Sequence, residues 1–506
     1  MTSPLKPLAE RPALVLGLAT LALHLWGDAF YDYFRDELYF IVCGQHLDWG
    51  YVDQPPLTPF IALVERGLFG DSLRGLRLVP ALGAAGLVML SCAAARMLGG
   101  GCFARWLAGL CVLAAPDFRV DGVVLSTDSL QPLLWLGLTT LLVAQLRHEA
   151  FGRWLAFGLL LGVTLLDKYL VAFYGAAVVV GLLATPQRRV LLRPGAWLAA
   201  VIALAVAAPN VAWQAAHGWP FLELGRAAVA GKNVAYSPIG YAVELMELLN
   251  PATLPVWLLG LWAAGFDRRM EELRFLPIAA IALAAIFVAT HGKPYYASPA
   301  FPMVFAAGAV AAEARIAAWW ARTGLAALVA AGFVLLLPFS VPILPVESFI
   351  AWQRTLGLAP SSDENHALGP LPQYYADMFG WRELARKIGE AYQALPPEDR
   401  AKAVFFAGNY GEAAAIDLFG APWNLPPAIS GHNNYFLWGP RGHDGSVVLT
   451  MSATRERLLE RFESVEEVGR LDDPYAMPYE TARPIYLCRG LKGSLIEDWP
   501  KLKHYE

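Results

Sequence analysis

Apolar runs occupy most of residues 12–345, broken only by short charged or glycine- and proline-containing stretches. That pattern suits a lipid bilayer, where a spanning helix needs about 20 predominantly apolar residues. The runs give candidate spans at roughly 12–27, 76–96, 103–117, 127–146, 153–167, 169–186, 196–213, 251–266, 275–290, 299–314 and 322–345, about eleven in all. The expectation is a polytopic α-helical membrane protein. Whole-chain composition agrees: 57% of residues are hydrophobic and 16% charged, against about 45–50% and 25% in soluble domains. The first run lacks a small-residue cleavage site and leads directly into an acidic loop, so it reads as a retained first span rather than a removable signal peptide. A net charge of −4 offers no basic face for nucleic acid. The five cysteines have no CxxC spacing, which argues against a zinc site and a disulfide scaffold.

Positive charge at alternate breaks sets the expected orientation. One set carries Lys6 and Arg11, Arg96 and Arg105, Arg147 and Arg153, Arg188, Arg189 and Arg193, Arg268, Arg269 and Arg274, then Arg315 and Arg322. Lysine and arginine accumulate on the cytoplasmic side. The other side then receives the first loop (28–75), residues 116–126, the Asp167-Lys168 interruption, the loop 214–250 and residues 291–296. With an odd number of spans it also receives the tail. The chain thus divides into a membrane domain, 1–345, that includes the first loop, and an outer domain, 346–506. The outer domain reads as α/β: 402–407, 445–450 and 483–488 resemble strands, and 381–394, 411–418 and 453–462 resemble helices. Gly408-Asn-Tyr-Gly411 and Gly431-His-Asn-Asn-Tyr435 are strand exits that can turn and present polar groups.

Polar residues of unusual type gather on that outer side. Phe34-Arg-Asp-Glu-Leu-Tyr-Phe40 and Gly50-Tyr-Val-Asp-Gln-Pro-Pro-Leu57 put Asp36, Glu37 and Asp53 just after the first span, where carboxylates are costly unless they face water or a site. Asp36 and Glu37 suit a helix start; Asp36 also suits a general base on an acceptor hydroxyl. Asp53 is either a turn former before Pro-Pro or a preorganised ligand for an acceptor or a hard cation. Asp128, in Leu-Ser-Thr-Asp-Ser-Leu, is an N-cap or a brace of the site through Arg35 or Arg119, with Arg74 and Arg77 as further candidates. Lys168 forms an ion pair with Asp167, snorkels, or binds a lipid phosphate. His291-Gly-Lys-Pro-Tyr-Tyr296 adds His291, structural or a metal or phosphate contact, and Lys293, better placed for phosphate. Asn433 and Tyr435 are weaker candidates.

The order Asp-Glu, Tyr-x-Asp-x-Pro-Pro, Thr-Asp-x-x-Leu, embedded Lys, Gly-Lys-x-Tyr-Tyr resembles the GT-C membrane glycosyltransferases. It is most similar to the bacterial branch related to protein O-mannosyltransferases and lipid A aminoarabinose transferases, glycosyltransferase family 39. The resemblance covers roughly residues 20–345 and extends to the two Gly/Asn-rich turns of the tail. It implies a GT-C fold with a periplasmic C-terminal α/β domain in a bacterial inner membrane. The implied activity is transfer of a sugar from a polyprenyl-phosphate donor to an acceptor hydroxyl or phosphate, with inversion; the acceptor is a glycolipid, a polysaccharide or a protein. By resemblance Asp36 is the catalytic carboxylate, with Glu37, Asp53 and Asp128 at an acceptor or metal site. Lys168, Lys293 and Arg35 contact the donor phosphate, and Asp53 with His291 would hold a divalent cation (Mg, Mn or Zn) if one is used. One departure stands out: relatives often carry Lys after the first-loop acid, and this chain has Gln54. Two other readings share the same residues, a flippase of lipid-linked sugars and a surface-polysaccharide polymerase or ligase. The first is disfavoured because the charges lie at the outer boundary rather than the midplane and no repeat is visible.

Overall fold

The computed structural model describes residues 11–27, 30–362, 364 and 366–506; Lys6 lies outside the described residues. Each expected span meets a helix: Pro12–Gly27, Leu78–Met97, Cys102–Ala114, Gln131–Arg147, Phe151–Asp167, Val171–Leu183, Pro194–Ala216, Leu254–Phe266, Phe275–Ala289, Pro302–Arg315 and Trp319–Leu336. Their lengths differ more than the sequence suggests. Among the described residues, four helical stretches are long and apolar enough to cross a bilayer alone, and two bent pairs raise the number to six. Several others have only 13 to 17 residues, about 20–26 Å at 1.5 Å per residue against a hydrocarbon core of about 30 Å. Proline sets some of the ends. Pro251 and Pro302 open helices, and the Pro238–Leu248 helix turns by 92° into the following segment. Small residues set the closeness of packing: a Cβ on Gly308 would collide with the carbonyl of Val256 on the neighbouring Leu254–Phe266 helix.

The breaks between helices sort onto two ends of the bundle. Arg147 Nε donates to Glu272 at 2.6 Å, Gln187 to the Glu271 carbonyl at 2.6 Å, Arg193 to the Gln145 carbonyl at 3.1 Å and Arg315 to Asp267 at 2.7 Å. The arginine-bearing breaks therefore meet one another. At the other end Asn210 donates to the Trp49 carbonyl at 2.8 Å, Gln214 to the Tyr51 carbonyl at 2.9 Å, and Arg119 to Ser340 at 2.7 Å.

The tail is built on a five-stranded mixed sheet. Its strands are β1 (Ala403–Ala407), β2 (Ile429–Ser430), β3 (Val447–Thr450), β4 (Phe462–Leu471) and β5 (Arg483–Leu491), in the order β2-β1-β3-β5-β4. β1 is parallel to β2 and β3, whereas β5 is antiparallel to β3 and β4. Side chains alternate across the sheet. Ala403, Phe405, Val447, Leu449, Ile485 and Leu487 face one core; Val404, Val448, Tyr486 and Cys488 face the other, under Leu458 and Trp499. The first core is not made by the tail alone. Leu38, Tyr39, Phe40, Ile41 and Val42 of the first-loop helix Arg35–Gln45 are buried in it, beside the Trp381–Gln393 and Tyr410–Phe419 helices. The first loop thus packs as a layer against the tail sheet.

Candidate active site

The Arg35–Gln45 helix begins after Phe34, whose extended backbone leaves its N–H without a helical acceptor; Glu37 supplies one, accepting from Phe34 N at 2.8 Å. The same carboxylate takes Arg77 at 2.8 and 2.7 Å and the Leu125 N–H at 3.0 Å, and it is fully buried. This corrects the expectation for Glu37. Both its oxygens are spent inside the protein, joining the first loop to the 78–97 and 116–123 helices, and none faces an acceptor or metal. Arg77 is likewise structural.

Asp36, one residue earlier, projects away from that pair. Its side chain is 30% exposed, and Oδ1 accepts from Tyr410 OH at 2.7 Å and more loosely from Arg35 Nε at 3.4 Å. Arg35 lies over the Tyr410 ring, donates to Tyr479 OH at 2.7 Å and approaches Asp377 at 3.9 Å. Burial raises the Asp377 carboxyl to about 6, with Arg35 opposing. Arg35, Asn409, Tyr410, His432 and Tyr479 line a polar cavity of about 190 Å³ between the first loop and the tail. Asp53 stands nearby: its oxygens accept from Tyr39 OH at 3.1 Å and from Asn433 Nδ2 at 3.4 Å. Tyr39 stacks on Tyr410 with centroids 4.6 Å apart, which links the environments of the two carboxylates.

A second cluster lies where the helices end. Asp128 receives Lys168 Nζ at 2.6 and 2.7 Å and Gln131 at 3.0 Å. Asp128 is therefore braced by Lys168, not by Arg35 or Arg119; Arg119 is buried on Ser340 and on the Leu113 and Leu336 carbonyls. Lys168 pairs with Asp128 rather than its neighbour Asp167. Its ammonium lies 5.2 Å from the Tyr296 ring and 5.8 Å from Tyr295, and Lys293 lies 5.9 Å from Tyr295 on its own account. Two cations thus flank one aromatic pair, each partnered by an acid, since Lys293 also meets Glu364 at 2.8 Å. Gln54 is buried against Cys43, so nothing at that position reaches toward a phosphate.

Among the described residues no three His, Cys, Asp or Glu groups converge as ligands. Asp53 has tyrosine and asparagine donors, and His291 adopts φ +53° with its carbonyl bound by Asn233. The residues present do not fit a divalent cation. Sequence reasoning missed Tyr39, Tyr410, Tyr479 and Asp377. Their signal was partial: Tyr410 and Asn433 sit in the two Gly/Asn-rich turns, but neither turn says which carboxylate it meets.

Residues 53–213 match the family described as dolichyl-phosphate-mannose-protein mannosyltransferase, a stretch that holds Asp53, Asp128 and Lys168 but stops short of Asp36. The lipid A galacturonosyltransferase RgtD of Rhizobium johnstonii is 28% identical over 195 residues, 37% of this chain and 39% of that protein. The chain therefore spans about two-fifths of the length of that curated relative. The crystal structure of ArnT from Cupriavidus metallidurans bound to undecaprenyl phosphate superposes with a TM-score of 0.61 at 18% identity, covering 96% of this chain and 98% of ArnT. The apo ArnT structure gives 0.61 at 17% identity over 94% and 97%. The resemblance to GT-C membrane glycosyltransferases rests on the family match and on RgtD, and the fold is the GT-C fold shared with ArnT.

Proposed function

We propose, with that shared fold as premise, that this chain is a glycosyltransferase. It moves a sugar from a polyprenyl-phosphate donor to an acceptor hydroxyl or phosphate on the outer face of a bacterial inner membrane. The observation that carries the reading is Asp36: a part-exposed carboxylate held by Tyr410 and Arg35, two of the residues that line the cavity between first loop and tail, on the end of the bundle away from the arginine-bearing breaks. In this reading Asp36 takes the acceptor proton as its oxygen attacks the anomeric carbon, and the sugar–phosphate bond breaks in the same displacement, inverting the configuration. The leaving lipid phosphate needs positive charge as it departs. Lys168 and Lys293 suit that role, side by side where the helices end, with Arg35 nearer the sugar. Asp128 and Glu364 hold the two lysines until a phosphate competes for them. A glycolipid acceptor is favoured by the likeness to RgtD, a lipid A galacturonosyltransferase.

The test is transfer of label from radiolabelled galacturonosyl- and mannosyl-undecaprenyl phosphate to membrane acceptors, comparing wild type with Asp36→Asn at matched folded protein. Wild-type transfer that drops by about 10²-fold or more in the variant, with donor binding kept, supports the reading. Full activity in Asp36→Asn moves the base elsewhere. Translocation of intact donor without transfer replaces the reading with a flippase.

A further inference from the structure

Two turns of the tail reach into the first loop and end on its carboxylates. The first, Gly408-Asn-Tyr-Gly411, leaves β1 and starts the Tyr410–Phe419 helix. Asn409 caps that helix, accepting from Glu412 N at 2.9 Å while its amide donates to Glu480 at 2.8 Å. Tyr410 is thereby fixed in the first turn, with its ring on Tyr39 and its hydroxyl 2.7 Å from Asp36. The second turn, Gly431-His-Asn-Asn434, crosses the chain at Leu502 so closely that a Cβ on Gly431 would collide with the Leu502 carbonyl. It delivers Asn433 Nδ2 to Asp53 at 3.4 Å and Asn434 Oδ1 to the Val52 N–H at 2.7 Å. Asn434 N also donates to Tyr39 OH at 3.3 Å, which sends the Tyr39 proton toward Asp53. Burial, and then Asp53, push the Tyr39 phenol well above its ordinary value; burial and Asp36 do the same for Tyr410 against Arg35. Both remain O–H donors.

We propose that Tyr410 and Asn433 are positioning residues of the transfer site, donors from the tail that orient Asp36 and Asp53, so that the tail completes a site whose carboxylates the first loop supplies. The proposal rests on the transferase reading. A part-exposed aspartate is free to change rotamer, and a charge-assisted O–H···O⁻ bond at 2.7 Å fixes it against that freedom. An error of about 1 Å in the placing of a reacting group costs on the order of 10²-fold in rate, and Tyr410 is the near donor, since Arg35 is 3.4 Å away.

The experiment uses the full chain in lipid nanodiscs with the same two labelled undecaprenyl-phosphate donors. The variants are Tyr410→Phe and Asn433→Ala. Tyr375→Phe is the control, because Tyr375 is also buried and gives its hydroxyl to a backbone carbonyl, that of Pro338, away from either carboxylate. The expected result is a kcat about 10- to 100-fold lower in Tyr410→Phe with donor KM changed less than about threefold, and wild-type kcat in Tyr375→Phe at a similar melting temperature. Wild-type kcat in Tyr410→Phe, or equal losses in Tyr410→Phe and Tyr375→Phe, overturns it. Carbodiimide labelling of Asp36, read by mass spectrometry, tests the contact without any transfer. Faster labelling in Tyr410→Phe than in wild type supports the proposal; equal rates overturn it. If wild type transfers no sugar the transferase reading falls, and the labelling rates alone decide the positioning role.

Discussion

Asp36 and Glu37 are adjacent acids that sequence treats alike, and the structure sends them to opposite fates. Successive residues on a helix point about 100° apart, so when one reaches Tyr410 at the part-exposed surface the other faces inward. What made Glu37 structural is Arg77, forty residues later, and no local pattern announces that pair. Asp36, Asp53, Asp128 and Lys168 were legible because each stands where an isolated charge is costly at a membrane boundary. Their partners were not, since Tyr410 and Asn433 lie more than 370 residues from the carboxylates they meet. The contrast has a measurable side. Glu37→Ala leaves the Arg77 guanidinium buried without its counter-charge, at a cost of about 3–5 kcal/mol. Thermal denaturation in detergent should therefore show a large loss for Glu37→Ala and a small one for Asp36→Asn, the reverse of their ranking in transfer.

Among the elements, the apolar helices were readable because hydrophobic length is a strong signal, and β1, β3 and β5 because their residues are β-branched or aromatic. β4 was not. Phe462-Glu-Ser-Val-Glu-Glu has acids where strands seldom have them, and the segment succeeds because it is an edge strand with those acids in water. Beneath the sheet edge the Tyr410–Phe419 helix carries a further consequence. Glu412 and Glu480 are both buried; burial, and then Glu412, raise the Glu480 carboxyl to about 8. A carboxyl that binds its proton more tightly when folded contributes stability that is full below its ordinary value near 4.5, declines as pH rises toward 8, and changes no further above it. Asp377, raised to about 6, acts in the same direction over a lower range. The melting temperature of the protein should fall between pH 5 and pH 8, and Glu480→Gln, which has no proton to lose, should reduce that fall. An equal fall in the variant would remove Glu480 as its source.

For the molecule as a whole, the arginine-bearing breaks meet at one end of the bundle while the first loop and tail meet at the other. If the arginines are cytoplasmic, the exposed Cys102, beside them, is hidden from a membrane-impermeant maleimide in intact cells and labelled after permeabilisation. A cysteine at Arg386, a part-exposed position on the tail, should label without permeabilisation; the opposite pattern would invert the orientation. The shared core of the Arg35–Gln45 helix and the tail sheet also decides where the protein can open. Separating the two would bring Leu38, Tyr39, Phe40, Ile41 and Val42 into water together, at about 25 cal/mol for each Å² uncovered. Opening that seam therefore works against apolar burial along the whole helix. On the proposed transferase reading, a lipid-linked donor would enter sideways, between the helices and beneath the first loop, with the membrane as the antechamber of the site and the tail as its roof.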